Sequence, residues 1–312
     1  MARTFAADLR LVDDAELTAI GSRRQSAAQA FASEFGVRRA YGSYAGVVTD
    51  SDVDVVYVAT PHGRHFDDVM LCFEAGKPVL CEKALTLDAG STAELIAESR
   101  RRGLFLMEAM WMRTNPNIKA MQEIVASGLI GEVGSIGADF GMVVADLAKA
   151  RLVDPELGAS AVLDIGVYPL TFAWLFLGAP MTVQSAGTLS PFGTDDACAS
   201  VLGYANGATA TLACSNLAAT PGIAHVGGTK GHIEVPAPFW APHRFTVAST
   251  AGPEVHEHSI RGRGYTHEIE EVHRCLRAGL LESDVIPLDD TLGLMLLMDQ
   301  IRAQIGVVPR HG

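Results

Sequence analysis

Residues 53–83 read VDVVYVATPHGRHFDDVMLCFEAGKPVLCEK. The apolar run Val53–Ala59 predicts a buried strand, and Phe66–Ala75 carries apolar residues at helical spacing and stops before Gly76. A second short strand is predicted over Pro78–Cys81. A strand, a helix and a strand in this order form a βαβ unit, whose two strands lie parallel in one sheet. This stretch therefore predicts an α/β fold built on a parallel sheet.

The same alternation continues on both sides of this unit. Strands are predicted over Glu16–Gly21 and Leu104–Met107, and helices over Ser26–Phe35 and Ser91–Arg102. Each predicted helix is followed by a glycine, which commonly ends a helix. The first hundred or so residues therefore form one parallel sheet with helices packed on it.

The pattern changes after about residue 130, where short alternating segments are separated by Gly, Asn or Pro turns. These segments predict a large open, mainly antiparallel sheet: Ser135–Met142, Thr182–Gly187, Ala197–Tyr204, Ala208–Ser215, His232–Val235 and Phe245–Ser249. Two helices are predicted near the end of the chain, Tyr265–Ala278 and Asp290–Ile305. Asp290 is the predicted N-cap of the second helix.

The composition describes a chain with a substantial buried core and an acidic surface. The sequence has 312 residues, 48% of them hydrophobic and 19% charged, and its net charge is −12. This length fits two domains, and the negative charge argues against phosphate backbones and anionic membranes as partners. The five cysteines include no C-x-x-C pair, which favours free thiols in a reducing compartment. We therefore expect a cytoplasmic protein that binds a small-molecule substrate, with no metal, nucleic acid or membrane partner.

Two long stretches of the chain carry no charged residue. Ile165–Thr194 is interrupted by glycines and prolines, so it is too short for a membrane span of about 20 residues and predicts a buried helix and a strand. Ala197–Gly228 is also uncharged, although its alternating strands should present one face outward. A solvated sheet face normally carries charge, so we interpret this face as a contact with another subunit. The alternative is that helices of the same chain cover it.

Ligands of a parallel sheet bind at the carboxyl ends of its strands, so the residues that follow each predicted strand are candidates for a site. Ser22, Arg23 and Arg24 follow the first predicted strand. Folds that bind NAD usually place Asp or Glu there, at the ribose 2′-hydroxyl, whereas folds that bind NADP replace this carboxylate with a hydroxyl and an arginine. Ser22 and Arg23 fit the NADP pattern, and an ordinary polar loop is the alternative.

The other strand ends supply further candidates: Thr60, Pro61, His62, His65, Glu82, Lys83, Trp111 and Arg113. Lys83 is the most informative, because it directly follows an apolar strand, where its charge can act on a neighbouring group. For the other residues, structural histidines, a Thr-Pro strand terminator and a plug between domains are the alternatives.

One motif stands out in the second half, LDIGVYP at residues 163–169. In a helix, Asp164 and Tyr168 share one face, where the carboxylate can orient the phenol. The alternative is that Asp164 is a helix cap and Tyr168 a core aromatic residue. Pro169 disfavours helical geometry at Tyr168, which predicts that the regular helix begins at Pro169.

Several common chemistries are excluded. His267 and Glu268 resemble the start of the zinc motif H-E-x-x-H, but Glu271 stands where the second histidine is needed, so we expect a solvated helix face and no metal. The chain has no G-x-S-x-G and no Walker P-loop, which argues against the commonest hydrolases and nucleotide triphosphatases.

Five motifs, SR at 22–23, VATPH at 58–62 with His65, CEK at 81–83, EAMW at 108–111 and DIGVY at 164–168, occur in the order of one known family. With them the chain resembles the Gfo/Idh/MocA oxidoreductases over nearly its whole length. The resemblance implies a Rossmann-like domain over residues 1–110 that binds NADP. It also implies an α/β domain over residues 111–312 whose open sheet supports homodimers, with the last helix packing back on the first domain.

The resemblance further implies roles for individual residues. Lys83 is placed between nicotinamide and substrate, Asp164 and Tyr168 take the acid/base positions, and Ser22 and Arg23 bind the 2′-phosphate. The remaining residues expected to bind the cofactor or line the cleft are Arg24, Thr60, Pro61, His62, His65, Glu82, Trp111 and Arg113. The implied reaction is hydride transfer between NADP(H) and a CH–OH group of a sugar, a polyol or a cyclic trans-diol. The alternative is a catalytically silent ligand-binding or regulatory protein of the same fold.

A simple energy comparison supports pairing Lys83 with Tyr168. A tyrosine with a pKa of about 10 needs about 3 pKa units of help to act as a base near neutral pH. This is roughly 4 kcal/mol, about the interaction of a lysine charge 4 Å away at an effective dielectric constant of 20. Which of the two groups takes the proton is left open.

The sequence departs from the family pattern in two places. Ala84 stands where the family has the proline of an E-K-P motif, which removes a backbone constraint beside Lys83. The sequence also has no G-x-G-x-x-G or G-x-G-x-x-A. Because Met1–Ala6 aligns inside the first helix of family members, we expect the first strand and its glycine loop to lie upstream of residue 1. A misplaced start codon or a truncated fragment is favoured over an evolved variant.

Overall fold

The structure is a computed structural model and describes residues Met1–Val144 and Val153–Val308. Within these residues the chain forms two compact units. The first consists of Met1–Thr86, Gly90–Trp111 and Arg261–Thr291. The second consists of Leu87–Ala89, Met112–Ile260 and Leu292–Gly312. Residues 145–152 and 309–312, which the structure does not describe, fall within these bounds.

The helices are α1 (Ala2–Leu9), α2 (Gln25–Phe35), α3 (Tyr44–Val48), α4 (His62–Glu74), α5 (Ala89–Arg102), α6 (Pro116–Ala126), α7 (Val167–Leu177), α8 (Tyr265–Arg277) and α9 (Leu288–Gln304). The strands are β1 (Ala19–Gly21), β2 (Arg39–Tyr41), β3 (Val56–Val58), β4 (Val79–Glu82), β5 (Leu106–Ala109), β6 (Val133–Gly141), β7 (Thr182–Leu189), β8 (Asp195–Gly203), β9 (Thr209–Ser215), β10 (Ala224–Gly228), β11 (Gly231–Val235), β12 (Arg244–Ser249) and β13 (Gly252–Glu257).

The first unit has a parallel sheet in two separate groups. β1 pairs with β2, while β3, β4 and β5 pair in that order, and all these pairs are parallel. In a doubly wound sheet of order 3-2-1-4-5-6, the first strand separates such groups. No strand of the described chain pairs with the free side of β1 or β3. The predicted Rossmann-like parallel sheet is confirmed, and its described strands form two separate groups.

Local sequence explains where several helices begin and end. α2 ends as predicted, because Gly36 adopts a left-handed φ of 64°. α4 begins at His62, earlier than the predicted start at Phe66, because the extended Pro61 directly precedes its first turn. α9 begins at Leu288, so the prediction that Asp290 caps it is wrong: the Asp290 N–H donates to the carbonyl of Pro287 within the first turn.

The second unit is built on a sheet of order β13-β12-β11-β10-β6-β9-β8-β7, which confirms the predicted large antiparallel sheet. Every neighbouring pair is antiparallel except β6 and β9, which are parallel. One face is buried, and α7 packs against β6 and β9. Pro155–Leu177 is apolar and long enough to cross a membrane by composition, but 72% of its apolar window is buried inside the protein, as in a core helix.

The opposite face of this sheet lies open. Its middle strands present Ala199, Val201, Thr209, Thr211 and His225, which we call the open face, and Val201 is 48% exposed. None of these side chains is charged when histidine is neutral. Helices of the described chain therefore leave exposed the surface that the sequence analysis interpreted as a subunit contact.

Candidate functional site

The carboxyl ends of β3, β4 and β5 meet along one edge of the first unit. Val58 pairs with Cys81 and Glu82 pairs with Ala109, so the three strands end side by side. The residues that follow them include six of the candidates selected from the sequence: Thr60, Pro61, His62, His65, Lys83 and Trp111. The topology therefore concentrates these candidates at the edge where such sheets bind ligands.

Two histidines of α4 hold the backbone around Lys83. His62 Nε2 lies 3.0 Å from the carbonyl oxygen of Lys83, and His65 Nδ1 lies 3.0 Å from that of Ala84. His65 Nε2 lies 2.8 Å from the carbonyl oxygen of Thr60, so this fully buried ring joins the end of β3 to the chain after β4. Burial lowers the pKa of His65. A neutral imidazole donates from one ring nitrogen only, so His65 donates to one of these two carbonyl groups, and both of its ring nitrogens face the backbone.

These contacts involve Ala84, the residue after Lys83 that stands where the E-K-P motif has proline. Lys83 is 5% exposed and Ala84 is fully buried, and the carbonyl groups of both residues lie within hydrogen-bond distance of a histidine ring. Side-chain contacts therefore hold the backbone on both sides of the Lys83–Ala84 peptide bond.

Glu82 belongs to a buried acidic pair. Its carboxylate accepts a hydrogen bond from the Tyr57 hydroxyl, its Oε2 has no partner in the described chain, and burial raises its pKa. Burial also raises the pKa of Glu268 well above its usual range, as do the nearby charges of Glu82 and Asp8. The prediction that Glu268 lies on a solvated helix face is wrong, since α8 turns it completely inward.

The end of β1 forms a separate cluster of hydrogen-bond donors. Ser22 follows the strand directly, and its Oγ accepts a hydrogen bond of 3.4 Å from the backbone N–H of Arg24. Arg23 and Arg24 are exposed, and the Arg23 guanidinium lies near the Tyr44 phenol on α3. Tyr44 could not be predicted to lie there, because no local sequence pattern connects α3 with the end of β1.

A buried carboxylate holds the end of β5, and an aromatic stack holds the chain that follows it. The Trp111 ring stacks on Tyr265, with centroids 5.3 Å apart. Glu108 accepts hydrogen bonds from the Leu85 N–H at 3.1 Å and from the Thr291 hydroxyl at 2.9 Å. The sequence analysis did not assign Glu108 a role; the structure shows that it ties β5 to the segment that follows Lys83.

In the second unit, Asp164 and Tyr168 lie on one continuous helical segment. Val162–Gly166 forms a π-helical turn that leads directly into α7. The prediction that the regular helix begins at Pro169 is wrong, since a proline fits within the first turn of α7, where its missing N–H is not needed. Asp164 is half-buried and Tyr168 is buried. Arg113, on the 3-10 turn before α6, is also buried in this unit.

Two aromatic residues, Phe140 and Trp240, lie beside Tyr168, and we call them the aromatic wall. The Tyr168 ring centroid lies 5.8 Å from that of Phe140 and 6.3 Å from that of Trp240. Phe140 and Trp240 themselves stack 3.6 Å apart. The sequence analysis missed both residues, because they are distant in sequence and only the fold brings them to α7. Lys83 belongs to the first unit and Tyr168 to the second, and their joint action stays a prediction.

No group of three or more His, Cys, Asp or Glu side chains within residues 1–144 and 153–308 could hold a metal ion.

Comparisons with known proteins agree with this arrangement. Residues 1–110 match the model of an oxidoreductase family with an NAD-binding Rossmann fold, and residues 118–234 match the GFO/IDH/MocA C-terminal domain. The chain is 33% identical to trans-1,2-dihydrobenzene-1,2-diol dehydrogenase of Bos taurus, covering 97% of this chain and 93% of that protein. It is 35% identical to the same enzyme of Macaca fascicularis, covering 94% and 89%.

Solved structures show the same fold. A 3-ketoreductase from Actinomadura kijaniata, crystallised with NADP and TDP-benzene, is 27% identical with a TM-score of 0.87, covering 97% of this chain and 94% of that one. An aldose-aldose oxidoreductase from Caulobacter crescentus is 21% identical, also with a TM-score of 0.87, covering 97% and 93%. On the family models and the relatives above 30% identity, the chain belongs to the Gfo/Idh/MocA family of oxidoreductases.

Proposed function

We propose that this protein is an NADP(H)-dependent dehydrogenase that acts on a CH–OH group of a sugar, a polyol or a cyclic trans-diol. Residues 1–110 would bind the nucleotide, and residues 111–312 would hold the substrate. The observation that carries the proposal is the buried Lys83, placed directly after β4 with its carbonyl group and that of Ala84 each beside a histidine ring. The relatives support the substrate class, since they are named as a diol dehydrogenase and a 3-ketoreductase.

The residues at the end of β1 fit the adenosine end of NADP. A 2′-phosphate needs hydroxyl and guanidinium donors and no nearby carboxylate. Ser22, Arg23 and Arg24 supply these donors, and both arginines are exposed. Residues 1–312 contain no G-x-G-x-x-G, so we assign no glycine loop of this sequence to the pyrophosphate of NADP.

When bound, the nicotinamide supplies or accepts the hydride. The chain's residues then have to move one proton at the substrate oxygen. We assign this proton to the Tyr168 phenol or to Lys83, with the Lys83 charge favouring the deprotonated phenol. The half-buried Asp164 carboxylate would orient the substrate hydroxyl, and the aromatic wall of Phe140 and Trp240 would pack against its carbon skeleton.

Turnover measurements test this function. The expected result is reduction of NADP in the presence of D-xylose, a polyol or a trans-dihydrodiol, with a much lower rate with NAD. NADPH binding, followed by its fluorescence, serves as the parallel measurement. A chain that binds NADPH and turns over none of these substrates would instead support the silent ligand-binding alternative.

Changing Arg23 to Asp is expected to weaken NADPH binding by about 10- to 100-fold and to leave NADH binding nearly unchanged. Charge-assisted hydrogen bonds contribute about 1.5–3 kcal/mol, and the new carboxylate also repels the 2′-phosphate. Fluorescence titration with both nucleotides measures the two dissociation constants. Arg38→Asp is the control, because it makes the same charge change at an exposed arginine that pairs with Glu16. Equal losses for both nucleotides would contradict the assignment.

We also propose that the protein is a homodimer that associates through the open face. The support is the 48% exposure of Val201 among the uncharged side chains of the open face. Exposed apolar side chains on a sheet face commonly mark a contact with another protein. A cytoplasmic location is part of the same proposal, since all five cysteines are free.

Changing Val201 to Arg is expected to convert the dimer to a monomer. The substitution places a charge in the middle of the proposed contact, where it has no partner and loses its hydration. Analytical ultracentrifugation should show the mass fall from twice the chain mass of 33.0 kDa to that mass. Leu280→Arg, at an exposed position after α8, should leave the mass unchanged. A wild-type chain that is already monomeric would end the proposal.

A further inference from the structure

Asp195 is a buried carboxylate at the start of β8, with 1% of its surface exposed. Its Oδ2 accepts a hydrogen bond of 2.6 Å from the Val162 N–H, and both of its oxygens accept from the Ser160 hydroxyl. The Ser160 Oγ in turn accepts from the Leu163 N–H at 3.0 Å. Asp195 and Ser160 therefore satisfy the N–H groups of Val162 and Leu163 at the start of the helical segment, and Asp195 places a negative charge at its positive end.

Arg302, near the end of α9, connects Asp195 to another part of the second unit. Its Nε lies 3.6 Å from Asp195 Oδ1, and its Nη1 donates a hydrogen bond of 2.8 Å to the carbonyl oxygen of Leu87. One turn earlier on α9, Asp299 accepts a hydrogen bond of 2.8 Å from the Ala89 N–H. Arg302 and Asp299, on the same side of α9, thus contact residues 87–89. Arg302 also contacts Asp195, which binds the start of the segment that carries Asp164 and Tyr168.

We propose that Asp195 and Arg302 are positioning residues, which fix the start of the Asp164–Tyr168 segment relative to residues 87–89. Residues 87–89 follow Lys83 closely in the chain, and the segment they are held against carries Asp164 and Tyr168. The inference rests on the proposed function, because Asp164 and Tyr168 matter only if they act on a substrate.

The chemistry of the pair favours positioning over stability. A buried ion pair contributes little net stability compared with apolar residues of similar volume, because both charges lose their hydration. It does fix geometry, and a misplacement of about 1 Å at a reacting group can cost roughly a hundredfold in rate. Lysine cannot replace Arg302 here, because a single ammonium group lacks the guanidinium fork that reaches both Asp195 and the Leu87 carbonyl.

Kinetics of Arg302→Lys and Asp195→Asn test the inference. For both variants, kcat is expected to fall by about 10- to 100-fold while the dissociation constant of NADPH changes less than about twofold. The matched controls are Arg277→Lys, at an exposed arginine that pairs with Asp14, and Asp196→Asn, at the neighbouring carboxylate. Both controls should retain the wild-type kcat. For Arg302→Ala, millimolar guanidinium added to the assay should restore part of the lost kcat, and no such rescue should occur for Arg277→Ala.

Hydrogen exchange supplies a measurement that does not depend on turnover. In Arg302→Lys, amide exchange should increase together in residues 87–89 and 160–168, and not in α6. Full kcat in Arg302→Lys, or faster exchange in only one of the two segments, would overturn the positioning role alone. A wild-type chain without turnover on any substrate of the panel would overturn the proposed function, and the role of the pair in catalysis with it.

Discussion

Lys83→Met is expected to lower kcat by about a thousandfold, with a change of less than about threefold in the dissociation constant of NADPH. A lysine charge about 4 Å from the reacting oxygen, at an effective dielectric constant of 20, contributes roughly 4 kcal/mol, and each 1.4 kcal/mol changes a rate tenfold. Methionine keeps the length and apolar stem of the side chain, which suits a position that is 5% exposed. Steady-state rates with NADP, together with NADPH fluorescence titration, measure the two effects separately.

The matched control is Lys230→Met, which removes the same charge from an exposed turn between β10 and β11. It should leave both constants unchanged. If Lys83→Met kept more than about a tenth of the wild-type rate, the lysine would not be a catalytic residue.

Tyr168→Phe is expected to lower kcat by about 10²- to 10⁴-fold, the usual contribution of a positioned acid or base. The phenylalanine ring can keep the packing of Tyr168 against Phe140 and Trp240, so the thermal stability of the protein should change little. The same steady-state assay measures the rate, and calorimetry measures the melting temperature. Tyr204→Phe is the control, because the Tyr204 hydroxyl is buried and has no partner in the described chain.

The double variant Lys83→Met/Tyr168→Phe tests whether the two groups act together. If the two groups act as a unit, the double variant should be about as slow as the slower single variant. Multiplicative losses would show that they act independently. A normal rate in Tyr168→Phe, combined with a large loss in Asp164→Asn, would move the proton-carrying role to Asp164.

Much of this fold follows from local sequence patterns. The βαβ unit over residues 53–83 and the alternating strands after residue 130 are both present, because period-2 and period-3.6 patterns are local properties of the chain. Two elements between the predicted ones escaped prediction: β2 has three residues and begins with a charged one, Arg39, and α3 has five residues, too few for a helical period to show. β13 also escaped, because its residues are mostly exposed and show no alternation.

The candidate site likewise contains residues that local sequence could predict and residues that it could not. Lys83 and His62 could be selected because the carboxyl ends of parallel strands always meet at one edge. Phe140 and Trp240 could not, because their approach to Tyr168 depends on how a sheet and a helix pack. Glu268 was misjudged for a related reason: a polar helical pattern indicates a solvated face, and only the packing of the first unit shows that this carboxyl is buried.

The five cysteines have a practical consequence. All of them are free and buried, and burial raises the pKa of Cys275 to about 11 and of Cys72 to about 12. Thiol-reactive probes attack the thiolate, which is scarce at such pKa values and out of reach in a closed core. A cysteine introduced at an exposed position outside the open face, such as Leu280, therefore becomes the one rapidly labelled site of the native chain. Spin labels or fluorophores can be attached there without first removing any of the native thiols.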